Sequence, residues 1–168
     1  MPTFIIREGV AADIAGIMRL KLELAISDGI AYTVRATAAD WERDGFGPNR
    51  RFTVFVAEQA ARIIGIAICG DQYFPGWIGP TLALLDLCVE QHHRNRGVGT
   101  ALLARVAEFA KARDCAMIEL TMRSGNRAAA LYERVGFAEV PEIRNYVIAG
   151  DALDRLAAAV PPLARMAG

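Results

Sequence analysis

The chain is poor in the residues that ligate metals or cross-link secreted domains. It holds three cysteines, Cys69, Cys88 and Cys115, and two histidines, His92 and His93. No CxxC pair, HxxxH spacing or Cys/His cluster occurs, so neither a metal site nor a disulfide framework is expected. An odd cysteine count fits free thiols in a reducing compartment. An excess charge of one sign is also missing, because nineteen basic residues balance nineteen acidic ones. That argues against a dedicated nucleic-acid binder, which usually carries a basic surplus. Long apolar runs are absent: IIGIAIC and TLALLDLCV are too short to span a bilayer. MPTFIIREGV lacks the basic-then-apolar layout of a secretion signal. The expectation is a soluble cytoplasmic protein with no metal, no nucleic-acid partner and no membrane contact.

What is present is a globular composition, 54% hydrophobic and 23% charged over 168 residues. It is enough for one domain, 1–168, with a substantial core. TFIIR (3–7) reads as a strand. Asp13 caps a helix running to about Ser27, with Ile14, Ile17, Met18, Leu22 and Ala25 at helical spacing. Thr37 and Asp40 form a capping box before a short helix around Trp41. DGFGPN (44–49) is a turn-rich break. FTVFVAE (52–58) and RIIGIAIC (62–69) predict a hairpin joined by Gln59, Ala60 and Ala61. YFPGWIGP (73–80) reads as a loop, and TLALLDLCV (81–89) as a buried strand interrupted by Asp86. Thr100–Arg113 is an amphipathic helix with Leu102, Leu103, Val106, Phe109 and Ala110 on one face. AMIELTM (116–122) predicts a strand, 126–134 a helix stopped by Gly136, RNYVIAG (144–150) a last strand, and 151–159 a final helix. Hairpins first and strand–helix alternation later predict an α/β fold: one central mixed sheet with helices on both faces.

One stretch carries a ligand signal. RNRGVGTALL (94–103) joins a buried strand to a leucine-rich helix. Unpaired N–H groups in the first helical turn, glycines that let a ligand approach the backbone, and arginines together make an anion site. The dinucleotide pattern GxGxxG fails because Leu102 stands at the third glycine. The Walker pattern fails because no lysine follows Gly99. What fits is [R/Q]xxGx[G/A], as Arg94, Gly97 and Gly99, and downstream comes ALYERVGF (130–137).

On these two blocks the sequence resembles the GNAT superfamily of N-acetyltransferases, most specifically over 84–137. The resemblance implies the GNAT fold and acetyl-coenzyme A (acetyl-CoA) as cosubstrate. It implies a pyrophosphate cradle at Arg94, Asn95, Arg96, Gly97, Val98, Gly99 and Thr100. The pantetheine arm would run along Leu87, Cys88 and Val89, with strand N–H groups around Cys88 and Val89 polarising the thioester carbonyl where this strand splays from its neighbour. Tyr132 would protonate the departing thiolate. DGFG, YFPGWIG and LLDLCV are similar to the diamine, or spermidine/spermine-type, branch, whose members often form homodimers. That branch begins the strand with a Glu-Asp pair; here it is Leu85-Asp86, which weakens the case for a polyamine. The family's Asn seven residues before the tyrosine is Gly125 here, and Asn126 stands one step late as a CoA contact.

Beside the resemblance stand plainer readings. Asp86 either binds and deprotonates the amine, through water, or is a structural acid; strand alternation places it on the face opposite Leu85. Tyr132 is either the acid or a packed aromatic. Trp77 and Tyr73 either line the substrate opening or pack a loop. His92 and His93 read as exposed loop residues, and Cys88 as a small core or cofactor-lining residue. The expected activity is acetyl transfer to a small primary amine. The alternatives are a protein amine or an aminoglycoside as acceptor, or a CoA-binding module without catalysis.

Overall fold

The computed structural model describes residues 4–27, 29–30, 34–76 and 78–159. Residues up to 135 and those from 136 form separate compact units. In the first, the chain runs through strand β1 (Ile5–Glu8), helix α1 (Ile14–Ser27), helix α2 (Ala38–Trp41), strands β2 (Thr53–Gln59), β3 (Arg62–Phe74) and β4 (Gly79–Val89), helix α3 (Val98–Ala112), strand β5 (Ile118–Glu119) and helix α4 (Ala129–Arg134). The five strands form one sheet in sequence order. The first three pairings are antiparallel and β4 with β5 is parallel. The mixed α/β sheet predicted from element order is the one observed.

Each face of the sheet is set by alternation along the strands. Val54, Val56, Ile66, Ile68 and Cys88 turn one way and bury Ile17 and Leu20 of α1. Phe55 turns the other way and meets Phe109 of α3 edge to face at 5.3 Å, with Arg105 stacked 4.9 Å above its ring. Gly65 decides how closely α3 lies. A Cβ there would sit 3.1 Å from both Val98 and Leu102, so the missing side chain lets the first turns of α3 press onto β3 beside the end of β4.

Several local expectations shift for identifiable reasons. Asp13 lies inside a 3₁₀ turn (Ala11–Asp13) that leads into α1, and its carboxylate reaches back to Val10 N at 2.8 Å and to Arg7. Thr37 and Asp40 do form the capping box, but the helix continues through a π turn, Glu42–Phe46, into the stretch read as a break. The β2–β3 turn has two residues rather than three, and Ala60 and Ala61 both take left-handed backbone (φ 49° and 60°), the conformation that paired strands demand of a two-residue turn. YFPGWIGP is strand at both ends: β3 runs to Phe74 and β4 resumes at Gly79. AMIELTM shrinks to Ile118–Glu119, and the helix read over 126–134 begins at Ala129.

In the second unit the strand predicted at 144–150 does not form. Those residues pair with no described strand, and Tyr146 and Val147 are 85% and 86% exposed. A strand needs a neighbour for its peptide groups, and β-branched composition supplies none. Helix α5 (Asp151–Ala158) follows as expected.

Candidate active site

The site is built on β4, a strand that is paired on both edges in one half and on one edge in the other. β3 pairs with it along its whole length, Gly65 facing Val89 and Phe74 facing Gly79. β5 pairs only with Leu82 and Ala83, and Leu82 N donates to Met117 O at 3.0 Å. Beyond Ala83 the outer edge of β4 has no ladder partner among the described residues. Glu90 N donates to Ile64 O, so that peptide faces β3. Val89 O faces outward, where Arg94 Nε reaches it at 2.9 Å. Alternation therefore turns the peptide groups of Leu87 and Val89 to the open edge and those of Cys88 to β3.

A β-bulge interrupts the same strand. Cys69 faces Leu84 and Ile68 faces Asp86, leaving Leu85 as the extra residue. The bulge overturns simple alternation. Ile68 and Gly70, two apart on β3, share the α1 face, and a Cβ on Gly70 would meet Leu85 Cδ1 at 3.4 Å. Leu85 and Asp86 thus lie on one face, not on opposite faces as strict period-two alternation predicts. Leu85 is 54% exposed.

Asp86 has a partner the sequence did not signal. Lys21 Nζ, on α1, lies 2.5 Å from Asp86 Oδ2, with about a quarter of each side chain exposed (27% and 26%). The two residues are 65 apart in sequence, and no motif links them. Cys88 anchors the same approach: its thiol is buried and points at Leu20 O at 3.5 Å. Burial pushes the Cys88 thiol up to about 11. It is a core residue with no nucleophilic character.

Tyr132 sits half-buried in α4. Burial, followed by the charge of Asp86, raises its phenol above the usual range. That places Tyr132 within electrostatic reach of the β4 carboxylate and keeps it protonated. Its neighbour Leu131 explains Gly99: a Cβ on Gly99 would lie 3.1 Å from Leu131 Cδ2. Gly99 lets α4 pack against the start of α3 and so brings Tyr132 towards β4.

The loop 94–97 ends in Gly97, which caps α3 in left-handed backbone (φ 83°) with open space where a Cβ would point. Asn95 is left-handed as well (φ 59°). The first intrahelical bond runs from Ala101 N to Gly97 O, so the N–H groups of Val98, Gly99 and Thr100 have no partner within the helix. Arg94, Asn95, Arg96 and Thr100 are exposed around them. Behind the loop, buried Glu90 gathers Arg19, Arg62 and His93. Hydrogen bonding from Arg62 draws the Glu90 carboxyl below its usual range despite its burial. His93 is therefore not an exposed loop residue. It stands 2.9 Å from Glu90 Oε2 and 3.0 Å from Gln59 Oε1, whereas His92 is exposed as expected.

Asn126 is exposed and its side-chain oxygen accepts from Ala128 N at 2.9 Å, tying down the turn before α4. Trp77 lies outside the described residues, and Tyr73 is 64% exposed. A cavity of about 270 Å³ lies among Asp71, Gln72, Tyr73, Pro80, Thr81, Arg113 and Cys115, at the opposite end of β4 from the cradle. No group of three or more potential metal ligands occurs among the described residues, and no described helix is long and apolar enough to cross a membrane.

Comparisons with known proteins agree with one another. The model of the acetyltransferase (GNAT) family matches residues 22–137. A thialysine N-epsilon-acetyltransferase from Mus musculus is 30% identical over 166 residues, covering 90% of this chain and 96% of that protein. A spermidine/spermine N(1)-acetyltransferase-like protein 1 from Homo sapiens is 32% identical over 139 residues, covering 79% of this chain but 20% of that longer protein. Among solved structures, an integron cassette protein from the mobile metagenome of V. cholerae superposes with a TM-score of 0.76 at 20% identity, covering 94% of this chain and 99% of that one. A soil metagenomic aminoglycoside acetyltransferase in complex with sisomicin gives 0.73 at 15% identity, covering 88% and 97%. These two structures show the shared fold.

Proposed function

The chain belongs to the GNAT acetyltransferase family and is an acetyl-CoA-dependent N-acetyltransferase, and from that premise we propose roles for its residues. The observation that carries the assignment is the open outer edge of β4 leading into the free N–H groups of α3. The pyrophosphate lies on Asn95, Arg96, Gly97, Val98, Gly99 and Thr100, where helix dipole, free donors and arginine charge coincide. The open space at Gly97 fits a group of that bulk. Arg94 contributes charge while its Nε stays on Val89 O. The pantetheine arm runs along the open edge at Leu87 and Val89, with Cys88 behind it as packing and Asn126 at its margin. Acetyl-CoA, when bound, supplies a thioester whose C–S bond breaks as the bond from amine nitrogen to carbonyl carbon forms.

The chain's own groups then handle charge and protons. N–H groups on the open edge, Val89 foremost, donate to the carbonyl oxygen as negative charge develops there. Tyr132 gives its phenolic proton to the leaving sulfur; a raised phenol is protonated over the working range and fits that task. Asp86 receives the acceptor's ammonium and passes its proton to water. The acceptor is a small primary amine, in keeping with relatives named for thialysine and spermidine/spermine. Every proton transfer is thereby assigned without a metal. Apolar side chains exposed at Ile143, Tyr146 and Val147 support a homodimer, and the free buried thiols support a cytoplasmic setting for a single domain spanning 1–168.

Free-thiol release from acetyl-CoA, scored across a panel of primary amines, tests the reading. Release that depends on a small amine is expected. CoA binding with no release from any small amine, protein amine or aminoglycoside would leave only the binding-module alternative.

A further inference from the structure

We propose that Lys21 selects the acceptor: with Asp86 it forms a dipolar wall that takes an amine bearing a carboxylate in preference to a polyamine. The proposal rests on the small-amine reading of the site and names its charge class. Three side chains from two elements meet on one face of β4. Leu85, 54% exposed, offers apolar surface for a hydrocarbon segment. Asp86 offers an anion. Lys21 offers a cation that no motif announces, 2.5 Å from the Asp86 carboxylate. The bulge at Leu85 brings the first two onto one face. Helix α1 is held in place beside Lys21, because Ile17 and Leu20 in the turn before it are fully buried and the Cys88 thiol meets Leu20 O.

The charge balance of this wall is zero, and that decides what it prefers. A polyamine ammonium entering at Asp86 must displace the Lys21 ammonium and leave it partly buried and unpaired. An amine that carries a carboxylate engages both halves of the pair: an ammonium meets Asp86 and the carboxylate meets Lys21, so the internal ion pair opens without leaving either wall residue unpaired.

Cadaverine and L-lysine differ by one carboxylate and make a matched pair of probes. Acetylation kinetics are measured for both with the wild-type protein, Lys21→Met and Lys21→Arg. The wild type is expected to favour L-lysine. Lys21→Met should lower the L-lysine to cadaverine ratio of kcat/KM by about tenfold, mostly through KM, the loss expected for one charged hydrogen bond. Lys21→Arg should keep the preference. L-lysine methyl ester, which lacks the carboxylate charge, should raise KM with the wild type alone, so the outcome does not hang on a variant folding. A wild type that favours cadaverine, or a ratio unmoved in Lys21→Met, overturns the proposal. Titration of both amines into CoA-saturated protein reads the same preference as affinities. A failure of acetyl transfer is thereby told apart from a failure of the charge argument.

Discussion

The cradle at 94–100 and the wall at Lys21, Leu85 and Asp86 flank the same strand, yet they are made differently. The cradle is contiguous: a turn with Asn95 and Gly97 in left-handed backbone delivers unpaired N–H groups within a single turn of α3. Its chemistry is that of peptide groups, which any sequence carries, exposed by glycine and sharpened by arginine. The wall is composite. It needs α1 laid over β4, a bulge that turns two successive side chains to one face, and an ion pair across 65 residues. On the proposed reading, contiguous backbone holds the cosubstrate and side chains assembled from distant elements choose the acceptor.

Four variants probe that division, from the largest effect to the smallest. Tyr132→Phe removes the proton donor while leaving cradle and wall in place. Turnover is expected to fall by about 10²-fold or more with the dissociation constant of acetyl-CoA unchanged. Because the Tyr132 phenol is raised by burial and by Asp86, the wild-type rate should hold as pH rises, until the phenol ionises above its ordinary value. A pH–rate profile checks that sign. A decline starting below the ordinary tyrosine range would assign the acid elsewhere.

Asp86→Asn leaves the cradle intact but removes both the anion of the wall and the group that accepts the ammonium's proton, so turnover falls as well. The amine KM is expected to rise about tenfold or more, while titration with CoA is unaltered. Equal losses in both would show that Asp86 holds the strand rather than the substrate. Arg94→Ala with Arg96→Ala acts on the cradle alone. CoA affinity should weaken about tenfold and depend less on salt, with the preference among amines preserved. A changed amine preference would break the separation between the two regions. Ala61→Gly lies in the β2–β3 turn and belongs to neither region. Relieving one left-handed alanine should stabilise the protein by about 1 kcal/mol in denaturant unfolding, with kinetics untouched.

The contrast also accounts for what could be read from the chain. The cradle was legible because its determinants are neighbours in sequence. Arg94, Gly97 and Gly99 signal it directly, although the two glycines act for different reasons: Gly97 for its left-handed backbone, Gly99 for the contact with Leu131. ALYERVGF singles out Tyr132 as the proposed acid. Asp86 was legible as a carboxylate in an apolar strand, but its direction was not, because a bulge shifts the two-residue period and leaves no local mark. Lys21 carries no local signal, because its partner Asp86 lies 65 residues away on another element. His93 looked exposed because Glu90, Gln59 and the arginines behind it arrive from other elements.

The sequence by itself determined the order of strands and helices as far as α4, the mixed sheet and the glycine-bearing turn into α3. Those features follow from hydrophobic period and turn chemistry, all of them local. Only the tertiary structure decided that β4 parts from β5 after Ala83, that Leu85 and Asp86 share a face, and that Lys21 pairs with the Asp86 carboxylate. Those features follow from packing: Gly65 and Gly99 set how closely the helices approach, and that approach brings charges together that the chain keeps far apart.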